Sequence, residues 1–142
     1  MAKKKKNSAQ PILVSISANF EIDVPEGNFE AFESTLASGE LSLDAEIRCN
    51  GKVHMASIYS DHLSGGGIEC TKVSDEVWKV IISGEYKWED DMGLSEDIKS
   101  EAVVPEIYVT TVSDTEPNMY DIKGYEDGGV AVGVILRNGN GA

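Results

Sequence analysis

Cysteine and histidine are scarce in this sequence, and it has no long apolar run. Its two cysteines, Cys49 and Cys70, form no CxxC pair, so neither a disulfide-rich scaffold nor a structural zinc site is expected. Both lie within alternating apolar stretches, which predicts free thiols; a single bridge between them is the alternative. No segment approaches the roughly 20 apolar residues of a membrane-spanning helix. Lys3–Lys6 precede no continuous apolar stretch of the signal-peptide kind, so we expect a reducing cytoplasm or a virion.

Positive charge is also scarce. The chain has 25 acidic residues against 12 lysines and arginines, a net charge of −13. Four of those cations are Lys3, Lys4, Lys5 and Lys6, and without them the net charge falls to −17. Nucleic-acid binding depends on cations that neutralise phosphates, so the body of the protein is not expected to bind nucleic acid directly. An acidic surface suits a basic partner protein, with simple solubility as the alternative interpretation.

The pattern of the chain predicts one domain with two flexible ends. Residues 1–10 have no periodicity and are expected to form a flexible basic arm, followed by a single β-rich domain over residues 11–137 and a flexible end over residues 138–142. Apolar residues occupy every second position from Ile12 to Val24, which predicts a long strand. Asn28 can begin a helix with Phe29, Phe32 and Leu36 on one side, and Gly39 can end it.

A hairpin is predicted around Asn50-Gly51, the preferred sequence for a two-residue type I′ turn. Its register would set Cys49 opposite Lys52 and Ile47 opposite His54. Further strands are expected in five places. Residues 89–101 are expected to form a loop or a weak helical turn around Leu94 and Ile98, and residues 64–67 a flexible connection. The further strands are expected from Lys52 to Ile58 as the hairpin partner, near Ile68 and Cys70, from Trp78 to Trp88 with a bulge or close approach at Gly84, from Val103 to Val112 and from Val130 to Leu136.

These elements predict a mainly β fold of about seven antiparallel strands and one short helix, arranged as a sandwich or a partly closed barrel. An α+β sheet with the helix on one face is the alternative. Seven strands leave two sheet edges unless the sheet closes, and such edges are either protected or paired with another chain.

No catalytic set survives inspection of the sequence. His54 falls on the apolar face of the hairpin, which indicates a histidine at the edge of the core. Asp61, His62 and Ser64 are too close in sequence to converge as a hydrolytic triad. The glycines at residues 65–67 lack the lysine and helix of a phosphate-binding loop. We therefore expect no enzyme activity, no cofactor and no metal.

Two charged groups are the candidate binding residues. The candidates for an acidic binding surface are Glu89, Asp90, Asp91, Glu96, Asp97, Asp114 and Glu116, and whether they share one face depends on the topology of the strands. They lack the D-x-D-x-D-G spacing of a calcium loop, so solvation or protein binding is expected rather than metal. The basic candidates Lys3–Lys6 could serve as a solubility arm, contact phosphate, or dock on the acidic body of a neighbouring copy.

Two functions fit these observations. The first is a non-catalytic assembly subunit, for example a phage or viral structural protein, that packs as a homo-oligomer or with a fixed protein partner. The second is an acidic mimic of nucleic acid that inhibits a basic, nucleic-acid-binding protein. Both make the partner a protein and neither involves a membrane.

Overall fold

The computed structural model describes residues 11–89, 92–124 and 129–135. These residues form eight strands, two α-helices and two short 3₁₀ turns, at Glu26–Asn28 and Ser60–His62. The strands are β1 (Ile12–Asp23), β2 (Ser42–Cys49), β3 (Lys52–Tyr59), β4 (Ser64–Ser74), β5 (Val77–Trp88), β6 (Glu106–Ser113), β7 (Met119–Asp121) and β8 (Val130–Ile135), and the helices are α1 (Phe29–Ser38) and α2 (Leu94–Lys99). Within the described ranges, no helix has the length and apolar character needed to cross a membrane.

The strands form one curled, half-barrel sheet in the order β3-β2-β6-β8-β1-β5-β4, with every pairing antiparallel. The predicted mainly β fold with a short helix is confirmed. The three-residue strand β7 pairs with the end of β6, beyond the end of β8. Ile122, just after β7, bridges to Ile22 of β1, so β7 fills the gap that the shorter β8 leaves.

The long strands β1 and β5 form the most extensive pair in the sheet. They pair along twelve residues, from Ile12 opposite Trp88 to Asp23 opposite Val77. The alternation in β1 sends Val14, Ile16, Phe20 and Ile22 to the buried face, while serine, asparagine and acidic residues face outward. Burial of these side chains, at about 25 cal/mol per Å² of apolar surface, is what drives the strands together.

The predicted β2–β3 hairpin is confirmed, including its register. Cys49 lies opposite Lys52 and Ile47 opposite His54. Asn50 and Gly51 both have positive φ angles, 52° and 74°, as a type I′ turn requires. The hairpin is therefore determined by its own sequence.

The predicted helix α1 is also confirmed, and it covers one end of the half-barrel. It ends at Gly39 in the left-handed conformation (φ 79°), a common helix terminus. Phe32 is fully buried and meets the rings of Trp78 and Tyr120 edge-on, at centroid distances of 4.9 Å and 5.5 Å. α1 is thus held to the sheet by aromatic packing.

The predicted flexible connection at residues 64–67 is wrong, because these residues belong to β4. A side chain at Gly66 would place its Cβ 2.2 Å from the carbonyl oxygen of Ser83, so glycine allows the two strands to approach. Opposite this segment Gly84 has a φ of 124°, and the register of the β4–β5 pair shifts between Ser64 and Gly67. The irregularity expected at Gly84 is therefore confirmed.

Candidate functional site

The acidic candidates are divided between the two ends of the sheet. Glu89 follows β5, and Glu96 lies on α2. The next residue in α2, Asp97, accepts a hydrogen bond from Asn50 in the β2–β3 turn. Asp114 and Glu116 follow the other end of β6, beside α1. The eight residues of β6 between these ends span about 26 Å at 3.3 Å per residue. The described candidates therefore do not form one continuous surface. Asp90, Asp91 and Lys3–Lys6 lie outside the described residues.

Two of the acidic candidates, Asp97 and Asp114, are buried, with exposed fractions of 3% and 6%. This corrects their assignment to an exposed binding surface. Each carboxylate receives several hydrogen bonds, which offset the loss of water. Glu89, Glu96 and Glu116 are exposed, as expected.

Asp114 fixes the turn between β6 and β7. Its Oδ2 accepts a hydrogen bond from the Tyr120 hydroxyl at 2.6 Å, and its Oδ1 accepts from the backbone N–H groups of Glu116 and Asn118. Burial raises the pKa of Asp114, but these hydrogen bonds outweigh it and hold the pKa below its ordinary value. Burial and the bond to Asp114 raise the pKa of Tyr120 to about 12. These hydrogen bonds hold the β6–β7 turn in one conformation, so the role of Asp114 is structural.

Asp97 is the centre of a second buried polar cluster, at the other end of the sheet. Its Oδ2 lies 2.7 Å from Nε2 of His54, and its Oδ1 accepts a hydrogen bond from Nδ2 of Asn50 at 2.9 Å. The ammonium of Lys52 lies 3.2 Å from the same Oδ1. Hydrogen bonds from Asn50 and His54, aided by Lys52, lower the pKa of Asp97 to about 2 although burial opposes the shift. The cluster ties α2 to the β2–β3 hairpin.

Cys49 completes this cluster. Its Sγ, a ring nitrogen of His54 and a carboxylate oxygen of Asp97 all lie within 4.8 Å of one another, and all three residues are buried. Burial raises the pKa of the Cys49 thiol, and the carboxylates of Asp97 and Glu101 raise it further against the effect of Lys52. An activated cysteine nucleophile needs the opposite shift, so the arrangement does not suit nucleophilic catalysis. Its ligand types do suit a soft or borderline metal ion.

Both cysteines are free, as the alternation predicts, Cys49 buried and Cys70 half-buried. The sequence pattern predicts His54 on the inner face of the hairpin and Asp97 on an acidic surface, but it does not predict that the two meet in one cluster. The one available signal was that His54 faces inward opposite Ile47, which lies two residues before Cys49 on the same strand. Nothing in the sequence indicated that α2 would bring Asp97 to it.

The outer edge of β3 is the clearest exposed feature. Within the described parts of the chain no strand pairs with this edge, since β3 ends the sheet order. Val53 and Met55 expose 55% and 64% of their surface there, and β3 contains no acidic residue. Its register with β2 is unbroken over all eight residues. A regular edge strand with exposed apolar side chains readily pairs with another strand.

The opposite edge strand, β4, is protected. Its pairing with β5 shifts register twice, and it carries Glu69 and Lys72 on its exposed positions. Bulges and charges are the usual means by which edge strands avoid pairing. The two edges therefore differ in kind.

No protein-family model matches this chain, and comparison with curated proteins and with solved structures gives no significant similarity.

Proposed function

We propose that the protein is a non-catalytic assembly subunit that pairs with a second copy of itself through β3. The observation that carries the proposal is the unprotected β3 edge, with its exposed Val53 and Met55 in a strand free of acidic residues.

The backbone of β3 is suited to this pairing. In a two-residue hairpin, Cys49 and Lys52 close the turn as a hydrogen-bonded pair, and hydrogen-bonded residues then alternate along the strands. His54 and Ala56 consequently direct their N–H and C=O groups toward β2. Val53, Met55 and Ser57 direct theirs toward the free edge. The residues with outward side chains are thus the ones that offer backbone hydrogen bonds.

An antiparallel β3–β3 pair with Met55 on the two-fold axis uses all of these groups. Met55 would oppose Met55 of the second copy, and Val53 would oppose Ser57 in both directions. Three opposed pairs, at two bonds each, give roughly six backbone hydrogen bonds. Lys52 would oppose Ile58, so no like charges face each other across the pair. A two-fold interface of this type is self-complementary.

Charge also favours contact between two copies at the β3 edge over contact at the acidic surfaces of the protein. Copies with a net charge of −13 repel one another, and β3 is the eight-residue edge without a carboxylate. Apolar burial of Val53 and Met55 adds to the backbone bonds. The basic Lys3–Lys6 segment could then contact the acidic body of the neighbouring copy.

The test is the solution mass of the full chain, measured by light scattering after size exclusion from about 1 μM to about 1 mM, a range that covers association free energies of about 8 to 4 kcal/mol. We expect twice the chain mass at the upper concentrations. A single-chain mass throughout would overturn the proposal, and capture of basic, nucleic-acid-binding proteins by that monomer would favour inhibition by an acidic surface.

The variant Met55→Lys tests whether β3 forms the interface. It would place two ammonium groups opposite each other at the two-fold axis, so we expect the dissociation constant to rise at least about tenfold, or 1.4 kcal/mol. Met92→Lys is the matched control, because it changes charge equally at a methionine that is 81% exposed in the loop before α2. Equal effects of both variants, or none of Met55→Lys, would exclude β3.

A further inference from the structure

The Cys49–His54–Asp97 cluster combines a thiol, an imidazole and a carboxylate from three separate elements. Cys49 ends β2, His54 lies in β3 beyond the turn, and Asp97 lies in α2, 43 residues after His54. Their ligand atoms lie within 4.8 Å of one another and all three residues are buried. We propose that these three residues bind a zinc-class divalent cation, which locks α2 to the β2–β3 hairpin.

The spacing is close to that of a metal centre. Metal–ligand distances of about 2.0–2.3 Å in a tetrahedral zinc site put the ligand atoms about 3.4–3.6 Å apart. The Nε2–Oδ2 distance between His54 and Asp97 is 2.7 Å, so these two ligands would separate slightly as the cation enters. Because all the ligand atoms of Cys49, His54 and Asp97 lie within 4.8 Å of one another, shifts of about 1 Å bring them to these separations.

The surroundings favour a cation. Asp97 Oδ1 already binds a cation, the ammonium of Lys52. The Lys52 side chain is 56% exposed, so it can move into solvent when a metal ion replaces it beside Asp97. Asn50 donates to Asp97 and fixes the carboxylate, and Glu101 accepts a bond from the Asn50 backbone and adds a second negative charge. Groups that orient ligands in this way are a regular part of metal sites.

The mixed ligand set indicates the kind of metal. Thiolate with imidazole and carboxylate suits zinc, whereas magnesium and calcium prefer oxygen alone. Three protein ligands leave the fourth position to water. Binding requires Cys49 to release its proton to solvent as the sulfur–metal bond forms. The pairing of β3 with a second copy does not depend on this site, and the two proposals can fail separately.

Cobalt titration of the full, reduced and metal-free chain tests the site, because cobalt replaces zinc and its bond to thiolate produces a charge-transfer absorption band. With protein at about 100 μM, we expect the band to approach saturation near one equivalent of cobalt, as for a dissociation constant of about 1 μM or less. Zinc should then displace the cobalt and abolish the band. Binding without a thiolate band, or no binding to the wild-type chain, would overturn the proposal.

The two cysteines supply a matched pair of variants. Cys49→Ser should remove the thiolate band. Cys70→Ser changes a half-buried thiol in β4, outside the proposed site, and should retain the band. Asp97→Asn should weaken cobalt binding at least about tenfold and keep the band at high cobalt, since the thiolate remains. A band that disappears with Cys70→Ser and persists with Cys49→Ser would refute the assignment. The wild-type titration decides the question even if a variant does not fold.

Discussion

The contact between Asp114 and Tyr120 shows how a single residue pair can fix a local structure. The Tyr120 hydroxyl donates to a buried carboxylate, and its ring packs on Phe32 of α1. This one side chain therefore joins the β6–β7 turn to the helix. Its polar half satisfies Asp114, and its apolar half extends the core.

Removal of that hydroxyl should destabilise the fold and change its response to pH. Tyr120→Phe leaves Asp114 with fewer donors, so we expect a loss of about 1–3 kcal/mol at neutral pH. The pKa of Tyr120 is raised from 10.0 to about 12, so its contribution is complete below pH 10 and is lost as pH rises toward 12. Denaturant unfolding should thus show a drop in wild-type stability from pH 10 to 12 that Tyr120→Phe reduces.

Tyr108→Phe is the control for this measurement, because the Tyr108 hydroxyl bonds Glu106 at an exposed position. It should cost little stability. If Tyr120→Phe loses as much stability between pH 10 and 12 as the wild type does, other groups cause that loss.

Asp114 makes the fold sensitive to acid. Because its pKa is lowered in the folded protein, its contribution to stability is complete above the ordinary pKa of 3.8 and is lost as the pH falls below that value.

At the scale of elements, the β4–β5 pair depends on close approach of the two backbones. Gly84 has a φ of 124° and its missing Cβ would lie 3.0 Å from both Leu63 Cβ and the Ser64 carbonyl oxygen. The bulge there bends the sheet where it curls toward its β4 edge.

Gly84→Ala should therefore destabilise the protein by about 2 kcal/mol or more, through strain at positive φ and through the contacts of the new methyl group. Gly27→Ala is the matched control, since nothing lies within 4 Å of its Cβ position and its φ is ordinary. Thermal or urea unfolding measures both. Equal stability of the two variants would mean that the bulge can relax at no cost.

At the scale of the whole molecule, charge opposes assembly and the β3 edge favours it. Each copy carries a net charge of −13, so two copies repel at low ionic strength. Salt shortens the Debye length from about 30 Å at 0.01 M to about 8 Å at 0.15 M.

We therefore expect the dimer to become tighter as salt rises over this range, because backbone pairing and apolar burial at β3 are affected little. Light scattering across a salt series provides the measurement, with Met55→Lys as the variant that should stay weak at every salt concentration. Dissociation with rising salt would instead mean that contacts between Lys3–Lys6 and acidic residues dominate, contrary to an interface centred on β3.

Local patterns determined most of the fold. The β1 alternation, the Asn50-Gly51 turn with its register and the Gly39 helix terminus all depend on residues that are neighbours in sequence, so they were predictable from it. The three-residue strand β7 was not, because it is too short to show a period. The glycines at residues 65–67 suggested flexibility, and only the position of Ser83 on the adjacent strand gives Gly66 its structural role.

Tertiary structure decided which residues work together. The sequence by itself determined a mainly β, acidic protein with an inward His54, whereas the structure decided between free thiols and a bridge for Cys49 and Cys70. It could not place Asp97 against Cys49 and His54, because that contact joins residues 43 or more positions apart through the packing of α2. Nor could it show that the acidic candidates lie at opposite ends of β6, or that β3 and β4 are the sheet edges. Local backbone preference sets an element, but long-range packing sets its neighbours, and the sites proposed above consist of those neighbours.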